Sequence, residues 1–120
     1  MSLVRNNKDK ESCAERILAF KDSIELLRGK WKLYILQVLS TSDKMRFKDL
    51  QEAVVGITPK VLANELQELE LNLLITRTVN NTKPVSVSYA LTKHAKQTEP
   101  VINALIEFGL KHRKEIKLMM

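Results

Sequence analysis

Lys60, Asn64 and Gln67 are the residues of this 120-residue chain whose types and spacing best suit a chemical task. Separations of four and three put them on one strip of a helix, since successive side chains turn by ~100°. With Leu62 set at 0°, Leu66 and Leu69 fall beside it, while Lys60, Asn64, Gln67 and Leu71 lie within ~40° of the opposite direction. An outward strip of this kind can read base edges. Asn and Gln pair bidentately with adenine, and Lys reaches guanine or a phosphate. Glu65 and Glu68 occupy one flank and Glu70 the other. These acids oppose a polyanion, so an ordinary solvated face and a protein-binding face stay open beside the DNA-reading one.

Other cations agree with a docking surface for DNA. Lys44, Arg46 and Lys48 surround a short helical segment, and Arg77 and Lys83 mark a hairpin. Thr58 can cap the helix that carries the strip or donate to a phosphate. The unbonded N–H groups at that helix start also favour a phosphate oxygen. Twenty Lys+Arg against fourteen Asp+Glu give a net charge of +6, which suits a polyanionic partner.

Enzyme chemistry is poorly supplied. His94 and His112 both lie among lysines, and neither a Gly-rich phosphate loop nor a His-Glu-x-x-His pattern occurs. No catalytic residue, metal site or cofactor is expected. The single cysteine, Cys13, excludes an internal disulfide framework and a cysteine-rich zinc site. No apolar run approaches the ~20 residues that span a bilayer, and residues 1–8 lack the apolar core of a signal peptide. A cytoplasmic protein with no membrane partner is the expectation.

The positioning elements follow from periodicity. Residues 11–27 read as a helix whose Cys13, Ile17, Phe20, Ile24 and Leu27 form an apolar seam, widened by Ala14 and Leu18. Gly29 suits a left-handed stop. Residues 31–39 are apolar nearly all round and belong in the core. A short helix over 47–54 turns Phe47, Leu50 and Val54 inward. Thr58 as N-cap and Pro59 at the first helical position open the next helix, to about Asn72. Residues 74–79 and 85–91 are β-branched strands about an Asn80–Pro84 turn, with Val85, Val87, Tyr89 and Leu91 on the half-buried face. Thr92 caps a final helix to about Leu118.

This order predicts a mainly α fold with a small β-hairpin wing, a winged helix-turn-helix with extra N- and C-terminal dimerisation helices. One domain, residues 11–120, follows a flexible segment, residues 1–10. The dimerisation helices take 11–27 and 92–118, the helix-turn-helix 47–72 and the wing 74–91. The last helix carries Val101, Ile102, Leu105, Ile106, Phe108 and Leu110, a stripe too broad for one contact. A domain this small has little interior to hide two such stripes. Ile17, Phe20, Ile24, Val101, Ile102, Leu105, Ile106 and Leu110 are therefore expected at a homodimer interface.

Four segments carry a family resemblance. Ser23 to Leu36, around Gly29-Lys30-Trp31, looks like the "GGKW" entry of the HxlR-type transcriptional regulators, relatives of MarR. Arg46-Phe47-Lys48-Asp49-Leu50 matches their "RFxEL" segment. Gly56-Ile57-Thr58 with Leu62, Leu66 and Glu68-Leu69-Glu70 matches "GIS…L…L.ELE". Pro84 to Thr92 matches "PPrVeYsLT". Together these span roughly Leu18 to Leu110.

The resemblance implies a homodimeric regulator of transcription that binds an inverted repeat of double-stranded DNA. The helix from Thr58 would enter the major groove, with half-sites near one helical turn, ~34 Å, apart. By position, the family's DNA contacts fall on Thr58, Lys60, Val61 and Asn64, with the wing at Asn80 to Lys83, including Asn81. Some members sense oxidants through a Cys-Pro pair, whose place here falls near Leu18-Ala19. Cys13 lies earlier, lacks a following proline and is expected to be buried in the seam, with a redox role as the alternative. A small-molecule or oxidant effector stays open. Leu73 replaces the usual glycine before the hairpin, and Ser86 replaces a wing arginine.

Overall fold

A computed structural model of the chain describes residues 12–120. The segment 1–10 expected to be flexible, and Glu11 as the start of the first helix, lie outside the described residues. Helix α1 is Cys13–Leu27, and its N-cap Ser12 accepts a hydrogen bond from the Glu15 backbone N–H at 3.1 Å. Ser12 and Glu15, three residues apart, form a capping pair. Gly29 follows with φ of 96°, the left-handed conformation expected of it.

Helix α2, Lys32–Leu39, is the centre of the molecule. Ile35, Leu36 and Leu39 are buried, and Leu50, Val54, Leu62, Leu66, Leu69 and Leu74 close around them. Tyr34 departs from the expected all-round burial. It stays exposed, tilted against Trp31 with ring centroids 6.3 Å apart.

A two-residue strand, β1 (Met45–Arg46), leads directly into α3 (Phe47–Ala53). Helix α4 (Pro59–Leu71) then runs to β2 (Ile75–Asn80) and β3 (Ser86–Leu91). The sheet has the order β1-β3-β2, all antiparallel, so the wing is a three-stranded sheet and not a hairpin alone. Met45 pairs with Tyr89 and Arg46 with Ser88. That pairing changes the expected burial. Ser88 is buried, and Val85, outside the strand, is exposed.

The chain from Thr92 is also not one helix. Thr92 caps as expected, its Oγ1 accepting from the Ala95 N–H at 3.0 Å, but it opens a 3-10 turn, His94–Thr98. Helix α5 begins afresh at Glu99 and reaches Met119. Pro100 explains the break. Deep in a continuous helix it would lack the N–H for a bond four residues back, whereas in a first turn it loses nothing.

Candidate nucleic-acid interface

Helix α4 is set by its two ends and one face. Thr58 stands extended at the N-cap, and its Oγ1 accepts from the Val61 N–H at 3.2 Å. That bond uses the oxygen only, and a hydroxyl can still donate its proton outward. Leu62, Leu66 and Leu69 lie in the core. At the C-terminus the Leu74 N–H reaches the Leu69 carbonyl and the Leu73 N–H the Glu70 carbonyl, both at 3.0 Å. This pattern needs a left-handed residue after the cap. Leu73 takes that conformation, with φ of 64°, where a glycine would be unstrained.

With the leucines inward, Lys60, Asn64 and Gln67 are all exposed, as the angular reading requires. Val61 differs. Its side chain is half-buried against the core, on the supporting side of the helix and not on the outward strip. Arg46 is exposed at the N-cap position of α3, and Lys48 is exposed one residue into that helix.

In the wing, Arg77, Asn81 and Lys83 are exposed. The tip is closed by polar side chains: Asn80 Nδ2 donates to Ser86 Oγ at 3.2 Å and Ser88 Oγ at 2.7 Å, and Thr82 Oγ1 donates to the Pro84 carbonyl at 2.7 Å. Ser86, standing where a wing arginine was expected, thus helps hold the turn. A cleft of about 320 Å³ brings Lys44, Arg46 and Asp49 beside Asn80, Thr82 and Ser88. The cations before α3 and the tip of the wing therefore share one surface.

The acidic flank of α4 has a partner that reading residues in order could not supply. Lys32, the first residue of α2, is 7% exposed. Its Nζ lies 2.5 Å from Glu65 Oε1 and 3.0 Å from Glu68 Oε1. Burial alone would lower the Lys32 pKa, but the hydrogen bonds and charges of Glu65 and Glu68 outweigh it and hold the ammonium above the ordinary lysine value. One sequence signal was present: a lysine at the head of a mostly apolar helix, with two acids three apart elsewhere.

The terminal helices bury no residue fully, although Leu26 and Leu27 of α1 pack partly against the core. Ile17, Phe20 and Ile24 on α1, and Val101, Leu105, Ile106 and Leu110 on α5, are exposed. Ile102 is the exception among the expected interface residues, packing half-buried against the core. Cys13 is exposed at the first position of α1, which corrects the expectation of a buried thiol. Among the described residues no helix is long and apolar enough to cross a membrane.

Comparison with known proteins agrees with this geometry. A family model described as HxlR-like helix-turn-helix matches residues 26–117. An HTH-type transcriptional regulator of Halalkalibacterium halodurans is 35% identical over 94 residues, covering 78% of this chain and 83% of that protein. The HTH-type transcriptional regulator YdzF of Bacillus subtilis is 32% identical over 98 residues, covering 82% and 90%. Among solved structures, the redox regulator HypR in its reduced form superposes with a TM-score of 0.76 at 26% identity, over 82% of this chain and 97% of that one.

Proposed function

Since the chain belongs to the HxlR-like helix-turn-helix family of DNA-binding transcriptional regulators, we propose that it acts as a homodimer on an inverted-repeat operator. Each α4 enters a major groove. Asn64 and Gln67 read base edges, Lys60 reaches guanine or phosphate, and Thr58 donates its hydroxyl to a phosphate. Arg46 and Lys48 grip the backbone beside that groove, and Arg77, Asn81 and Lys83 carry the wing's contact. Val61 supports the helix from beneath. Regulation is steric: two copies on successive grooves exclude or recruit polymerase.

The observation that carries this reading is α4 itself. Three buried leucines hold it, and its outward strip holds Lys60, Asn64 and Gln67 with no acid among them. The protein-binding alternative drew its support from Glu65, Glu68 and Glu70. Two of those three carboxylates are engaged by Lys32, which leaves exposed Glu70 and part of Glu68 as its remaining support.

Salt titration of duplex binding tests the proposal. Each phosphate neutralised contributes ~0.9 to the fall of log affinity with log salt, so a slope of several is expected. A flat response would favour the protein-binding reading. Oxidant sensing through Cys13 is a variant that its exposure supports. Mass spectrometry after mild oxidant, alongside operator binding, decides it: an unmodified thiol with unchanged affinity rejects the variant.

A further inference from the structure

The Lys32 cluster joins the core helix to the DNA-reading helix, and three observations about it need one explanation. First, a cation at the start of a helix opposes the helix dipole, whose positive end lies there. Lys32 nevertheless occupies the first position of α2, almost wholly buried. Second, it meets two acids from another element, 33 and 36 residues away in the chain, one of them (Glu65) itself mostly buried. Third, those acids flank the strip that holds Asn64 and Gln67. Stability alone does not call for an ion pair here, because a whole buried pair is often matched or bettered by apolar residues of similar volume, even though removing one partner is costly.

We infer that Lys32 is a positioning residue for DNA recognition: from the head of α2 it pairs with Glu65 and with Glu68, which stays 58% exposed, and offsets their charge against the DNA phosphates. The inference rests on the DNA-binding reading above. With Lys32 in place the cluster carries a net charge of −1; without its ammonium the charge is −2, beside an approaching polyanion. The loss is felt most at low salt, where phosphate repulsion is least screened.

The test compares wild type, Lys32→Gln and the pair Lys32→Met with Glu65→Gln on the full chain. Binding to an operator duplex and to a scrambled duplex is titrated at several salt concentrations, with helical content and melting recorded for each protein. Lys32→Gln keeps donors for the carboxylates but removes the charge. It is expected to bind operator about tenfold more weakly at low salt, with a shallower salt slope. The double variant restores the net charge of −1 and leaves no unpaired charge at the mostly buried position 65, and should recover the wild-type slope. It also keeps the test sharp if Lys32→Gln folds poorly.

A folded Lys32→Gln with wild-type affinity and slope overturns the inference. So does a loss in Lys32→Gln that leaves the slope unchanged and persists in the double variant, which marks packing alone. Failure of the wild-type protein to bind any duplex would instead remove the DNA-binding reading, and this inference with it.

Discussion

Asn64 and Arg46 are both exposed and both proposed to meet DNA, yet they should fail differently when removed. Asn64 stands on the outward strip of α4, so Asn64→Ala should relax base preference at one operator position, at about 1–3 kcal/mol. Arg46→Ala or Lys83→Ala should weaken binding to every sequence alike and lower the salt slope by about one phosphate. Competition titrations with single-base operator variants separate the two patterns; identical behaviour would mean the reading face is misassigned. Lys32 makes a prediction in pH. Its folded pKa is raised, so its contribution to stability is complete below the ordinary lysine value of 10.5 and is lost as pH rises through the folded value. Denaturation of wild type and Lys32→Met between pH 7 and 11 should show a constant difference of about 1–3 kcal/mol that shrinks only above that value.

Helix α4 is held by its ends as much as by its face, and both ends can be tested. Thr58→Ala removes the cap on the Val61 N–H and should cost about 1 kcal/mol by thermal melting. Leu73→Gly should do the reverse. Leu73 sits left-handed with its side chain exposed, so glycine relieves strain and loses no burial, for a gain of roughly 0.5–1 kcal/mol. Local signals such as these are legible in a sequence because cap, proline and periodicity act over a few residues. Thr58-Pro59, the three leucines and the β-branched strands all carry that kind of signal. Strand β1 does not: two residues show no alternation, and Met45–Arg46 becomes a strand only because β3 lies beside it. The break before α5 has a local signal in Pro100, which the expectation of one helix from Thr92 does not take into account. The Lys32 cluster joins positions more than thirty apart, a separation at which periodicity says nothing. Burial of Ile102 and Val61 against the core likewise depends on how the elements pack and not on their own spacing.

A folded chain of this length has a radius of gyration of about 14 Å, whereas this one has 17.7 Å and extents of 57 × 44 × 22 Å. Helices α1 and α5 bury no residue fully, and only Leu26, Leu27 and Ile102 of them pack partly against the core. Exposed, contiguous apolar faces on both terminal helices fit a two-fold interface in which each copy offers the same surface. Replacing Phe20 or Leu105 by Glu should therefore move the species seen by sedimentation from twice 13.8 kDa to that mass. Because two linked reading helices bind far more tightly than one, operator affinity should fall on the order of 100-fold or more.

Selection of bound fragments from a random duplex library, repeated with Asn64→Ala, tests the central claim most directly. A dimeric reader of successive major grooves predicts an enriched inverted repeat with half-site centres ~34 Å apart, and loss of preference at one symmetric pair of positions in the variant. No enriched motif, or an enriched motif that Asn64→Ala leaves untouched, would contradict it.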